Sequence, residues 1–201
     1  MKFWKLFGNE IKIYDGNRQN LLLFVKQKAF KLKEAITVYA DESKSEELLT
    51  INARSVIDFG ASYDVDDAKT GQRIGTLRRK GLKSILRDSW LILDASENEI
   101  GTIQEDSMAL AMVRRLLSNL VPQAFTVTVN GQEAAQFKQA FNPFVPQITI
   151  NFNQGTSLDK RLALAAEEAA TKMEEGEVVA RVVVEKEAVA PAERFGKGDR
   201  V

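Results

Sequence analysis

The most constraining feature of the sequence is a strand–turn–strand pattern that recurs with the same elements in the same order. Residues 63–80 read YDVDDAKTGQRIGTLRRK and residues 90–105 read LILDASENEIGTIQE after Trp90, so a tetrad of Ile-Gly-Thr and then Leu or Ile follows each acidic turn. Residues 125–139 give a third version, with Ala134-Ala135-Gln136-Phe137 in that place. A glycine inside a strand marks a bulge or a close backbone approach. Because the bend recurs in successive hairpins, we predict a sheet that curls into a barrel.

The turns and the remaining segments also predict mostly β structure. The expected fold class is α+β, because helices are predicted as well. Asn130-Gly131 predicts a type I′ hairpin, since both residues tolerate positive φ. Residues 21–40 predict two strands, and 48–57 and 144–152 one each. An apolar arc over residues 107–120 predicts an amphipathic surface helix, which Pro122 ends. Gly155-Thr156-Ser157 predicts the cap of a helix over about 158–175.

These elements predict one domain with two flanking segments. Residues 1–19 form an N-terminal segment, 20–175 the barrel with its helix, and 176–201 a Val/Glu-rich tail. Within the tail, VVARVVVEKEAV is suited to an added edge strand, and the end from Pro191 has a disordered composition. The start, MKFWKLF, has the composition of an interfacial membrane anchor, although a segment packed on the domain surface is the commoner arrangement.

Composition excludes several function classes. The 201 residues contain neither cysteine nor histidine, which removes thiolate chemistry, the commonest zinc ligands and the Ser-His-Asp triad. Lys+Arg and Asp+Glu both number 28, and this balance argues against an indiscriminate nucleic-acid binder. No apolar stretch is long enough for a transmembrane helix. We therefore expect a cytoplasmic, non-enzymatic protein with no cofactor.

Three features together resemble the tubby C-terminal-like superfamily, especially its LURP-one-related and phospholipid-scramblase-like branches. They are the basic strand FVKQKAFKLK, the two tetrad hairpins, and the strand FVPQITINF followed by LDKRLALAAEEAA. The resemblance covers residues 20–170 and implies a closed antiparallel barrel of about twelve strands around a C-terminal central helix. The family's central helix is apolar all round, whereas this one becomes charged from Glu167 onward. Since unpaired buried carboxylates are costly, we expect residues 158–166 to enter the barrel and the rest to reach its rim.

Acidic residues offer weak candidates for chemistry. Asp64, Asp66 and Asp67 could be read as paired catalytic carboxylates, but carboxylates before a turn are usually solvated turn formers. The same stretch fails the EF-hand pattern, because Lys69 stands where glycine is required and Gly75 where the bidentate glutamate belongs. We expect no metal site here, and the sequence contains no Walker A or G-x-G-x-x-G loop.

Two basic segments are the strongest binding candidates. Guanidinium and ammonium groups suit phosphate, and the resemblance implies a basic pocket for a phosphoinositide headgroup. The alternative is a set of solvated strand edges, where lysine blocks aggregation. The headgroup interpretation requires both segments to converge in space. The candidate ligands are Lys26, Lys28, Lys31, Lys33, Arg73, Arg78, Arg79, Lys80, Lys83 and Arg87.

We therefore expect a binding domain for anionic phospholipid headgroups that meets the membrane peripherally. The alternative is a protein–protein interaction or regulatory module that uses the barrel edge and the tail. A scramblase-like activity is a weaker alternative that rests on fold analogy, since no predicted span carries headgroups across a bilayer.

Overall fold

A computed structural model of the chain describes residues 10–27, 35–54, 61–81, 89–106, 123–140, 147–171 and 179–185. These residues form a mostly β domain with one helix, α1 (Lys160–Thr171). The strands are β1 (Glu10–Asp15), β2 (Leu21–Gln27), β3 (Ala35–Tyr39), β4 (Glu47–Ala53), β5 (Ser62–Asp67), β6 (Arg73–Arg79), β7 (Ser89–Asp94), β8 (Glu99–Glu105), β9 (Ala124–Val129), β10 (Gln132–Ala140), β11 (Gln147–Phe152) and β12 (Val179–Glu185).

Strands β1 to β10 each pair with the next strand of the chain in antiparallel order. The mostly β class and the antiparallel sheet are thus confirmed. Strand β12 pairs in parallel with both β1 and β11, and so lies between the first and last antiparallel strands. A wholly antiparallel barrel and an edge strand in the tail are therefore wrong, because α1 returns the chain to the end of the barrel at which β1 and β11 begin.

A β-bulge occurs in the second strand of five hairpins, which are β1–β2, β3–β4, β5–β6, β7–β8 and β9–β10. In β6 the register passes from Gly75 to Arg73, leaving the residue between them unpaired, and the other hairpins repeat this geometry. A bulge bends its strand and increases the twist, which curls the sheet. The bulged residues are Leu22, Leu48, Ile74, Ile100 and Ala134, the first four at equal intervals along the sequence.

Alternation of strand direction gives the barrel two different ends. The turn end has the connections 16–20, 40–46, 68–72, 95–98 and 130–131, each of seven residues or fewer, while the loop end has 28–34, 54–61, 80–88, 106–123 and 141–146, each of six or more. At the turn end, Asp94 Oδ1 accepts hydrogen bonds from the amides of Ser96 and Asn98 at 2.8 and 2.9 Å. The predicted type I′ turn is confirmed, because Asn130 and Gly131 have φ values of 50° and 77°.

Helix α1 lies against the inner face of the sheet. A Cβ placed on Gly75 would approach Leu162 Cδ2 to 3.0 Å, so the glycine leaves room for this leucine. The four residues from Leu162 to Ala165 are all buried, and at 3.6 residues per turn they cover the whole circumference of the helix. Residues 162–165 of α1 are thus enclosed on all sides, as expected from the apolar sequence of this segment.

The structure revises the bounds of several predicted segments. The cap of α1 is Asp159 rather than Gly155-Thr156-Ser157, since Asp159 Oδ1 accepts a hydrogen bond from the amide of Arg161 at 2.9 Å. Strands β1 and β12 fall within the segments predicted to flank the barrel, 1–19 and 176–201. The predicted surface helix at 107–120 lies outside the described residues.

Candidate functional site

A network of arginines and carboxylates covers the outer face of β4, β5 and β6. Its centre is Asp64, which lies opposite Thr76 on the face turned away from α1. Asp64 Oδ1 accepts from Arg54 Nε at 2.5 Å, Arg73 Nη1 at 2.8 Å and the Thr76 hydroxyl at 3.0 Å. Although they lie on the outer face, Thr76 is 0% and Asp64 9% exposed.

The same network extends to the ends of neighbouring strands. Arg54 Nη1 contacts Glu97 Oε1 at 2.6 Å, and Arg78 Nη2 contacts the other oxygen of this carboxylate at 3.3 Å. Arg73 Nε donates to Asp66 Oδ1 at 2.5 Å. The hydrogen bond to Asp64 raises the pKa of Arg54, and the hydrogen bond from Arg54 lowers the pKa of Glu97.

Positive and negative charges are equal in number within this outer-face network, and this balance decides whether the network can bind an anion. The guanidinium groups of Arg54, Arg73 and Arg78 face the carboxylates of Asp64, Asp66 and Glu97. A phosphate would have to displace a carboxylate that already occupies the arginine fork. The network is therefore suited to holding β4–β8 together and poorly suited to binding an anion.

Lys26 is also paired, though by a longer contact. Its Nζ lies 3.5 Å from Glu10 Oε1, and the same oxygen lies 3.7 Å from Lys44 Nζ. Three strands separate Lys26 on β2 from Arg73 and Arg78 on β6, and these two arginines lie near opposite ends of β6. The described strand cations therefore do not form one cluster.

Two of the remaining candidate ligands lie where β6 ends, and the other five belong to segments outside the described residues. Arg79 and Lys80 are half-buried where β6 ends, with the amide of Lys80 donating to the Ser89 carbonyl at 2.9 Å. The other five lie outside the described residues: Lys28, Lys31, Lys33, Lys83 and Arg87. Connections 28–34 and 80–88 nevertheless leave from the same end of the barrel, because β2 and β6 run in the same direction.

Sequence reasoning missed the roles of Arg54 and Glu97 in the network. Arg54 lies outside the basic runs and Glu97 lies in an acidic turn, and they come together only through the register of β4 on β5, β5 on β6 and β6 on β7. Arg54 and Asp64 are opposite charges on adjacent predicted strands, but such a pair identifies partners only when the register is known.

An ion-pair cluster joins α1 to the turn end. Arg161 Nη2 contacts Asp159 Oδ2 at 2.8 Å, and its Nη1 contacts Asp67 Oδ2 at 3.0 Å. The other oxygen of Asp67 accepts from the amides of Lys69 and Thr70 at 3.0 and 2.9 Å. Burial opposes ionisation of Asp67, but these amides and the Arg161 charge together lower its pKa.

Two further observations concern metals and membranes. Among the described residues, no group of three or more acidic side chains is placed to hold a metal ion. Within the same ranges, no helix has the length and apolar character needed to cross a membrane.

Comparison with protein families assigns the chain. The model of the family described as LURP-one-related matches residues 21–182, which run from the start of β2 into β12. The chain belongs to the LURP-one-related family. This family is part of the tubby C-terminal-like superfamily, so the resemblance seen in the hairpins is confirmed. No curated protein and no solved structure matches this LURP-one-related chain.

Proposed function

We propose that this LURP-one-related chain is a non-enzymatic binding domain for anionic phospholipid headgroups at a membrane surface. The strand order carries the proposal, because β2 and β6 both end at the loop end and both lead into basic connections. The proposal includes a cytoplasmic location and peripheral contact with the membrane. The binding domain is the barrel over residues 10–185.

The chemistry of these connections fits a phosphate ligand. Connection 28–34 contains Lys28, Lys31 and Lys33, and connection 80–88 contains Lys80, Lys83 and Arg87. Each cation near an anionic membrane surface contributes roughly 1 kcal/mol of attraction. Six such cations, in two connections that leave from one end of the barrel, are enough for reversible binding that weakens with salt.

Ion pairs within the strands reduce the number of residues that are available to bind a headgroup. Lys26, Arg73 and Arg78 already contact carboxylates, as described above. Binding of a headgroup by these three side chains would break those ion pairs. The proposal therefore assigns the ligand to the cations of connections 28–34 and 80–88, with Arg79 at the margin.

Co-sedimentation with vesicles tests the proposal. We expect the protein to bind vesicles of phosphatidylcholine with phosphatidylserine or a phosphoinositide, and to leave pure phosphatidylcholine vesicles unbound. Replacing Lys28, Lys31 and Lys33 together with glutamine should weaken binding at least tenfold, since three cations of about 1 kcal/mol each are removed.

A matched control removes three cations from the turn end. The variant Arg18→Gln/Lys69→Gln/Lys160→Gln changes the net charge equally and should bind anionic vesicles nearly as well as the parent. Equal loss of binding in both variants would show that net charge alone matters. Negligible binding to every vesicle would reject the lipid function and favour the protein–protein interaction or regulatory module. A dye-labelled lipid that crossed the bilayer only with protein present would favour the scramblase-like alternative.

A further inference from the structure

Strand β12 is the one described strand that has no antiparallel neighbour. Strands β1 to β11 each pair in antiparallel order with a strand that is next to them in the chain, whereas β12 pairs in parallel with both β1 and β11. Residues 153–178, which include α1, separate β12 from β11, and β1 lies at the other end of the described chain. Parallel pairing is slightly less stable per residue, and a parallel pair cannot be joined by a tight turn. We therefore expect β12 to leave the sheet more readily than the other described strands.

The space that β12 occupies, here called the β12 slot, is bounded by β1 and β11. Six residues of β1 and five of β11 are in register with β12, so both edges offer backbone N–H and C=O groups to one extended segment. The inward positions of the two edges are isoleucines that are at most 5% exposed, and they lie level with Ala180, Val182 and Val184: Ile11, Ile13, Ile148 and Ile150. The slot therefore suits a segment with small or β-branched residues at alternate positions.

A second copy of the chain supplies such a segment with an identical sequence. Its β12 forms the same ladders with β1 and β11 of the first copy, so exchange conserves the strand pairing of each barrel. The seven residues between α1 and β12, 172–178, span at most ~25 Å when extended, which is long enough to cross between two barrels in contact. Exchange of an identical element between copies is a general route to dimers at low energetic cost.

We propose that β12 is an exchangeable strand and that two copies of this chain form a dimer in which each β12 fills the β12 slot of the other. Such a dimer closes on a two-fold axis, because the exchange is reciprocal and leaves no edge of either slot open. The partner is thus a second copy of this chain rather than an unrelated protein. The inference concerns assembly and does not depend on whether the domain binds lipid.

Hydrogen exchange of the full chain, followed by mass spectrometry, tests whether β12 opens by itself. We expect the amides of β12 (Val179–Glu185) to exchange faster than those of the β9–β10 hairpin, because a strand that opens locally exchanges before the domain unfolds. Equal exchange rates in β12 and in this hairpin would overturn the inference, since release of the strand would then require global unfolding.

Disulfide trapping tests the exchange itself, because the chain has no cysteine of its own. Ile13→Cys in one chain and Val182→Cys in another come into register only when β12 of the second chain fills the slot of the first. We expect the two variants, mixed at high concentration in a glutathione redox buffer, to form a disulfide-linked heterodimer. The matched control uses Ile92→Cys in place of Ile13→Cys, since Ile92 is also buried but lies on β7, five strands from β12.

The double variant Ile13→Cys/Val182→Cys measures how readily the registered pair links within one chain. If it links, but the mixed single variants give no more heterodimer than the Ile92→Cys control, the inference is overturned. If it does not link, Ile148→Cys replaces Ile13→Cys in both experiments, because Ile148 lies level with Val182 on the other edge of the slot. Absence of exchange leaves the proposed function standing, and failure of vesicle binding leaves this inference standing.

Discussion

Arg161 and Asp67 join the central helix to the turn of the β5–β6 hairpin through a contact of 3.0 Å between Nη1 and Oδ2. Their side chains are 25% and 16% exposed, so solvent screens this pair only in part. Asp159 holds the same guanidinium from the helix cap. The contact therefore fixes where along the barrel axis α1 begins.

The first prediction concerns this contact. Arg161→Met keeps an unbranched apolar stem but removes the guanidinium charge, leaving Asp67 and Asp159 without their cation. We expect a loss of about 1–3 kcal/mol in the free energy of unfolding, the usual range for hydrogen bonds to charged groups. Urea denaturation measures it, with the exposed Arg18→Met as control. Equal stability of the two variants would contradict a role for Arg161 in anchoring the helix.

The second prediction follows from the lowered pKa of Asp67. A carboxyl whose pKa is lower in the folded state stabilises the fold at pH values above its unfolded pKa, near 3.8, and loses this contribution as pH falls through the folded value. We expect Asp67→Asn to be less stable than the parent at neutral pH, with the difference shrinking toward pH 2. Thermal unfolding at a series of pH values measures the difference. A constant difference across the series would contradict the assignment.

The third prediction concerns the glycines after the bulges. A Cβ on Gly75 would lie 2.5 Å from the Leu93 carbonyl, and one on Gly101 would lie 2.3 Å from the Thr128 carbonyl. We expect Gly75→Ala and Gly101→Ala each to cost about 1–3 kcal/mol by overpacking. Gly131→Asn is the control, since nothing lies within 4 Å of its Cβ position and asparagine tolerates positive φ. Chemical denaturation that found the alanine variants as stable as the control would argue against close packing at the bulges.

The fourth prediction concerns β12. Truncation after residue 177 removes the strand that pairs with β1 and β11, and so exposes the backbone groups of two edges. Exposed edges pair with other chains. We expect this variant to form oligomers or aggregate in light scattering, whereas truncation after residue 186 should remain like the parent. A stable, monodisperse short variant would argue that β12 is dispensable.

Strand β12 limits how the tail can be tested for a role in association. Deleting residues 176–201 would remove β12 together with the rest of the tail. Because that deletion removes β12, a change in oligomeric state would report open sheet edges rather than a lost partner site. Only a deletion that begins after Glu185 separates the two effects.

Local sequence patterns determined the hairpins, the type I′ turn and the family. Ile-Gly-Thr after an acidic turn predicted the bends at Gly75 and Gly101, because glycine and turn residues act within a few positions of the chain. The same bulge at Leu22 and Leu48 was missed, since leucine rather than glycine follows there and leaves no local trace.

Only the tertiary structure decided how the charges are used. Arg73 and Arg78 belong to a basic run in the sequence, yet the strand register places Asp64 and Glu97 against them. Register depends on pairing between distant segments, and a shift of one residue would turn these side chains to the other face. The sequence by itself therefore determined the strands from β2 to β11 and the family they form, while strand pairing decided which cations are neutralised and which connections share the loop end.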